Sequence, residues 1–364
     1  MNDSEFSCCK FHIKGELTGA GYVTSVFHPI GDWITSSESR IANSGFFNQI
    51  ERVDQMKILI SGGSGLLGRA VVDLFRHKGD EPHHQVTSLS FTRSGPGLQK
   101  VDLRDEQLVS TLVHDLKPDV MIHCAAERRP DVAERDPEGT QKLNVRVTEH
   151  LAELSNQVGF KLIYICTDYV FDGNAPPGGY DVEATPNPTN LYGKTKLAGE
   201  QALLRTVTKK GNAVSLRVPV LYGKAEGNNE SAINVLLDGV NKAAKGQKVL
   251  MDDWATRFPT LVDDVAKVLV AIAEYKDPLP PILHFSSEQQ YTKYTISLVF
   301  AKLLKLSESE TKNLVPQPDP PKPAQGETMR PRDCRLSNQA LVSLGICVQQ
   351  ADFVDWWTAY LNSQ

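Results

Sequence analysis

The chain has 364 residues, with 39 Lys and Arg against 44 Asp and Glu for a formal net charge of −5. That length supports a large core plus a smaller lobe, because single cores seldom grow past about 250–300 residues. The missing basic excess argues against nucleic acid, whose binding rests on several Lys or Arg contacts to phosphates, and no stretch approaches the roughly 20 apolar residues of a membrane helix.

Residues 1–55 mix glycines, serines and isolated apolar residues without a sustained period. They read as a poorly patterned, loosely attached extension, with a misassigned start or a short targeting segment as alternatives. The six cysteines, Cys8, Cys9, Cys124, Cys166, Cys334 and Cys347, form neither a disulfide framework nor zinc-ligand spacing. A reducing compartment, the cytoplasm, and no metal site are the corresponding expectations.

MKILISGGSGLLGRAVVDLF, residues 56–75, predicts strand, tight turn and helix. Ile58, Leu59 and Ile60 form a short apolar run suited to a strand covered on both faces, and Leu67, Val71 and Leu74 follow near helical spacing. Gly62 supplies turn freedom, Gly65 lets the backbone approach a pyrophosphate, and Gly68 permits close helix packing. Leu66 and Leu67 open the helix whose N-terminus then faces the phosphates. An ordinary glycine-rich turn is the bland alternative.

The next strand is expected at 86–92. NAD-type domains often end it with an acidic residue for the ribose hydroxyls, whereas here Arg93 follows Thr92. An arginine can attract a ribose 2′-phosphate, so NADP(H) is favoured over NAD(H), against a solvated loop arginine. Asp102 and Leu103 then fall where an adenine-side contact fits. DVMIHCAA, residues 119–126, is a further buried strand whose Ala125 and Ala126 let the chain pass close to a cofactor.

FKLIYICTDYVFDG, residues 160–173, delivers Thr167 at a strand's carboxyl end, the side on which open α/β sheets bind ligands. Tyr192 and Lys196, four apart in NLYGKTKLAGEQALL, stand one above the other on a helix. Alone they would be a surface pair. With the glycine turn and Thr167 they compose a reductase site, because a phenol of ordinary pKa near 10 needs a nearby positive charge to exchange protons near neutrality. Thr167 would hydrogen-bond the substrate oxygen, and Asn144 is a candidate to fix backbone or water beside Lys196, or simply a solvated helix residue.

Arg217, Val218 and Pro219 end the strand SLRVPVLYG in a position to close over nicotinamide. Thr260–Asp264 lead into an apolar helix, PILHFSS resembles a short strand, and YTKYTISLVFAKLLKL an amphipathic helix. The proline-rich stretch 316–337 resists regular structure. Arg330, Arg332 and Arg335 make it a loop bordering the cleft or a partner surface. Phe353, Trp356 and Trp357 predict core packing of a last helix. The expected fold is α/β, a doubly wound, mostly parallel Rossmann sheet with a smaller discontinuous C-terminal lobe: 56–218 and 252–280 for the cofactor domain, 219–251 and 281–345 for the lobe, and 346–364 for a final helix and tail.

SGGSGLLG, CTDYVFDG, NLYGKTKLAGE and RFPTLVDDVA, in that order, resemble the extended short-chain dehydrogenase/reductases of the dTDP-4-dehydrorhamnose reductase-like branch, from Met56 to about Tyr360. That resemblance implies NAD(P)H-dependent reduction of the 4-keto group of a nucleotide-linked sugar by Thr167, Tyr192 and Lys196. HCAAERRPDVAERDP, residues 123–137, is similar instead to the family of methionine adenosyltransferase regulatory beta subunits, with Glu127, Arg128 and Arg129 departing from the sugar-reductase pattern. This narrower resemblance implies an NADP-binding regulator that associates with the methionine adenosyltransferase catalytic subunit, the Tyr/Lys pair recording reductase ancestry. The family's basic, aromatic tail at the partner interface is not matched, since this chain stops at WWTAYLNSQ.

Overall fold

The computed structural model describes residues 55–76, 84–320 and 328–364. The N-terminal extension expected over 1–55 thus falls, but for its last residue, outside the described residues, as does part of the proline-rich stretch.

Seven short strands build the main sheet: β1 (Lys57–Ser61), β2 (Gln85–Ser90), β3 (Leu98–Lys100), β4 (Val120–His123), β5 (Lys161–Thr167), β6 (Ala213–Val218) and, after two excursions β7 (Leu221–Tyr222) and β8 (Val249–Asp252) and a short β9 (Thr260–Leu261), β10 (Ile282–His284). The main sheet runs β10-β6-β5-β4-β1-β2-β3, and every pairing in it is parallel. A parallel sheet must be covered on both faces, which explains why β4 is buried throughout and β5 buries six of its seven residues.

Helices α1 (Leu66–Arg76) and, much later, the apolar helix Val262–Glu274 cover one face. Val71, Val72 and Phe75 of α1 pack there with Val265, Leu269 and Ile272 and with Ile58, Ile60, Ile122 and Ile163 of the strands. The opposite face takes α2 (Glu106–Leu116), two short turns α3 (Pro130–Arg135) and α4 (Pro137–Gln141), then α5 (Val147–Val158) and α6 (Leu191–Thr206). Val109, Val113, Leu151 and Leu203 there bury Leu59, Met121, Leu162 and Tyr164. Asp105 caps α2, accepting a hydrogen bond from the Leu108 amide at 3.0 Å.

A third apolar cluster lies under the remaining elements. It joins α7 (Leu236–Ala244), the two-stranded sheet of β8 with β11 (Leu314–Gln317), and the helices Lys293–Leu303 and Phe353–Asn362. Trp357 and Phe353 are fully buried against Tyr222 and Phe300, as the aromatic pattern of the last helix predicts.

Two expectations change. Ile282–His284, assigned to the smaller lobe, completes the main sheet as its edge strand beside β6. Arg217, expected at the cofactor, points away from the carboxyl-end cleft into the core. Side chains alternate along a strand, so Ser215 and Arg217 share one face of β6. Both bond to Glu200 of α6: Ser215 donates to Oε2 at 2.6 Å, and the guanidinium donates to Oε2 at 3.0 Å and Oε1 at 2.6 Å. Its remaining nitrogen meets His284 at 3.3 Å.

Arg217 and Glu200 are each 2 % exposed. Removing one partner of such a pair leaves an uncompensated buried charge, so Glu200→Gln is expected to cost about 3–5 kcal/mol of unfolding free energy. Urea denaturation monitored by far-UV circular dichroism measures this. A loss below about 1 kcal/mol would place the pair among weak surface bridges.

Candidate functional site

The chain connections part at the carboxyl ends of β1 and β4, because β1 pairs β2 on one side and β4 on the other. Ligands of doubly wound sheets bind at such a switch point. A cavity of about 600 Å³ opens there, lined by the glycine turn, by the ends of β2, β4, β5 and β6, and by α6.

The glycine turn has no room for side chains where sequence reasoning expects none. Gly62 has φ +67°, and a Cβ on it would sit 2.8 Å from the Ala125 amide nitrogen. A Cβ on Gly68 would sit 2.1 Å from the Gly62 carbonyl oxygen, so α1 approaches the turn through that residue. Gly65 is less confined, its nearest atom being the same carbonyl at 3.2 Å. Gly62, Gly65, Leu66, Leu67 and Gly68 all line the cavity at the α1 N-terminus. Amide groups and helix dipole there suit an anionic pyrophosphate. Ala125 and Ala126 form the facing wall.

Beyond the turn, Leu89 to Thr92 and Val101 to Arg104 line the cavity, Asp102 and Leu103 among them. Arg104 chelates Asp102 through Nε and Nη2 at 2.9 and 2.8 Å, and this partner holds the carboxyl below its usual range. Arg93 stands beside the turn, its Nη1 donating to the Ser64 carbonyl at 2.6 Å, and its other side is taken by carboxylates of a distant segment.

Thr167, Tyr192 and Lys196 come together on the same cavity wall. Thr167 ends β5, where its hydroxyl donates to Asp168 Oδ1 at 3.0 Å and accepts from the Tyr169 amide at 3.2 Å. Asn190 caps α6 through the Gly193 amide at 2.9 Å, so Tyr192 and Lys196 ride the first turns of a fixed helix. Burial pushes the Tyr192 phenol up, and the neighbouring Thr167 hydroxyl opposes the rise. Burial brings the Lys196 ammonium down to about 8. Its Nζ lies 3.9 Å from the centre of the Tyr164 ring, a cation–π contact that recovers part of the lost solvation. Each group is thus shifted against its charged form by desolvation.

Asn144 does not line the cavity. It lies in a π-helical turn, Lys142–Arg146, that leads into α5. Its amide accepts from the Glu127 nitrogen at 2.9 Å and donates to the Glu127 carbonyl and the Thr195 hydroxyl, both at 3.1 Å. These bonds tie the chain after Ala126 to the helix of Lys196.

Arg257 and Lys293, which the sequence reading did not single out, line the same cavity as Arg330, near Asp168 and Tyr169. Lys293 is brought down to about 8 by burial and by the neighbouring guanidinium groups of Arg257 and Arg330. Arg257 is 7 % exposed, and its Nη2 makes no hydrogen bond, with Asp252 3.8 Å away. Burial raises Asp168 to about 7. Arg330 does border the cleft, as the arginines after the proline-rich stretch predict, and donates to Asp131 at 2.7 Å. Glu230 was not legible at all. It lies 137 residues from Arg93, which it pairs.

Among the described residues no helix is long and apolar enough to cross a membrane. The model of the RmlD substrate binding domain matches residues 56–356. Methionine adenosyltransferase 2 subunit beta from Xenopus tropicalis is 42 % identical over 293 residues, covering 80 % of this chain and 83 % of that one. A dTDP-4-dehydrorhamnose reductase from Mycolicibacterium smegmatis is 34 % identical over 202 residues, covering 52 % of this chain and 57 % of its own. Among solved structures, dTDP-4-dehydrorhamnose reductase from Bacillus anthracis str. Ames in complex with NADP is similar with a TM-score of 0.69 at 21 % identity, covering 85 % of this chain and 99 % of that one. The chain belongs to the RmlD substrate-binding-domain family and, within it, to the methionine adenosyltransferase 2 beta subunits.

Proposed function

We propose that this protein is an NAD(P)-binding regulatory subunit of methionine adenosyltransferase, which associates with the catalytic subunit in the cytoplasm and modulates S-adenosylmethionine synthesis. The observation that carries this reading is the likeness to the beta subunits over more than four-fifths of their length. Gly62, Gly65, Leu66, Leu67 and Gly68 would hold the pyrophosphate, Asp102 and Leu103 the adenosine side, Ala125 and Ala126 the middle of the dinucleotide, and Tyr192 and Lys196 the nicotinamide ribose. NADP(H) is favoured over NAD(H) because Arg93 follows β2 where an NAD-type domain places a carboxylate.

The test is sedimentation velocity of the purified chain with its host's methionine adenosyltransferase catalytic subunit, at micromolar concentrations and saturating NADP. A defined heteromeric species is expected. Two independently sedimenting components would overturn the regulatory reading.

A second reading, reduction of a 4-keto nucleotide sugar, is favoured by the company Thr167, Tyr192 and Lys196 keep in one cavity with Arg257, Lys293 and Arg330, whose charge suits an anionic substrate. Bound nicotinamide would supply the hydride. Thr167 would hold the substrate oxygen, and Tyr192 would give it a proton, with Lys196 stabilising the phenolate that remains. Tyr192→Phe is expected to lower carbonyl-dependent NADPH oxidation by about 100-fold or more, the usual weight of a positioned acid, while cofactor affinity stays within a few-fold. Retained turnover would remove Tyr192 from proton transfer.

A further inference from the structure

The segment Lys224–Ile233, between β7 and α7, forms a strap along the cavity, and Glu230, Ser231, Ala232 and Ile233 belong to the lining. Its base is pinned to β7 and the residue after it. The Ser231 hydroxyl donates to the Leu221 carbonyl at 2.7 Å, and Asn234 Nδ2 donates to the Gly223 carbonyl at 2.9 Å. Beyond that base, Asn228 Nδ2 donates to Asp238 Oδ1 of α7 at 2.7 Å, and two carboxylates of the segment engage arginines beside the glycine turn. Glu230 accepts from Arg69 of α1 at 2.5 Å and from Arg93, and Glu226 pairs with Arg93 at 3.1 Å. Both arginines also donate to the Ser64 carbonyl, at 2.8 and 2.6 Å. Two guanidinium groups on the glycine turn thus face two carboxylates on the strap, and the cluster carries no net charge.

That balance bears on Arg93, the proposed reader of the adenosine ribose, and the inference rests on that reading. A guanidinium already committed to two carboxylates offers little net attraction to another anion. A phosphate with close to two negative charges outcompetes a single carboxylate for it, while a ribose hydroxyl does not. The outer part of the cluster is open to such an exchange: the side chains of Arg93 and Glu226 are 42 % and 60 % exposed, against 9 % for Glu230.

We propose that Glu230 and Glu226 set the dinucleotide specificity of this cleft: they occupy Arg93, so that a ribose 2′-phosphate binds by displacing them and loosens the strap, whereas NAD(H) leaves the strap in place. The 2′-phosphate is read as a difference between two anions for one guanidinium. Discrimination is weaker than Arg93 alone would give, and only the phosphorylated cofactor changes the strap. Arg128, whose Nη2 lies 3.4 Å from the Asn229 carbonyl on the strap, extends that change across the cleft towards Tyr192.

The experiment is calorimetric titration of the full chain and of Glu230→Gln and Glu226→Gln with NADP⁺ and with NAD⁺. The ratio of the two affinities should shift towards NADP⁺ by about tenfold in Glu230→Gln, the weight of a hydrogen bond between charged groups. The shift should be about two- to fivefold in Glu226→Gln, the weight of an exposed ion pair. Hydrogen exchange of the Lys224–Glu230 amides in the unaltered chain should speed up with NADP⁺ and not with NAD⁺. Binding of neither dinucleotide would sink the cofactor reading itself. Binding of both, with one affinity ratio in all three proteins, would leave that reading standing and overturn the competition.

Discussion

A ligand cleft exists in this molecule because the chain leaves the sheet in opposite directions at β1 and β4. Connections that all ran one way would lay a loop over the carboxyl ends of the strands. Here the β1 turn goes to α1 on one face and β4 continues to the helices of the other. The gap is held to a fixed width by backbone, with Gly62 against Ala125 and Gly68 against Gly62 itself. What lines the gap is then decided by which residues stand at the strand ends, and the seven strands bring glycines, alanines and a threonine there.

Burial charges the site with its chemical character. In a chain of net charge −5, the cavity gathers Lys196, Arg257, Lys293 and Arg330. Desolvation works against the two ammonium groups, and both lysines come down to about 8. A lysine poised there can be ammonium or amine near neutrality, so its charge responds to what binds beside it. The same burial raises Asp168 to about 7 and pushes the Tyr192 phenol up. Proton-exchanging groups are concentrated where an anionic ligand would be drawn, a combination that serves a reductase directly and a regulatory binder as an inheritance.

Features written within a few residues were legible. The glycine turn announces itself because a positive φ and two close backbone approaches leave little choice of residue, and Tyr192 and Lys196 announce themselves because helical spacing stacks them. Thr167 followed from its place at the end of an apolar run. What was not legible depends on partners far along the chain. Arg217 was misplaced although Ser215 shares its strand face, because only the presence of Glu200 opposite makes that face a buried polar one. Ile282–His284 is too short to say which sheet it joins. Glu230 owes its role to two arginines more than 130 residues away, and no local pattern marks it.

The central claim is that the glycine turn at the end of β1 is a dinucleotide pyrophosphate site. Gly65 tests it most directly, since it faces the cavity and, unlike Gly62 and Gly68, its substitution meets only one atom at 3.2 Å. Isothermal titration of NADPH into the unaltered chain and into Gly65→Asp, with circular dichroism to verify folding, separates charge at the turn from loss of structure. Saturable binding by the unaltered chain, weakened at least about 100-fold in a folded variant carrying a new carboxylate beside the pyrophosphate, is predicted. Equal affinity in a folded Gly65→Asp would contradict the account.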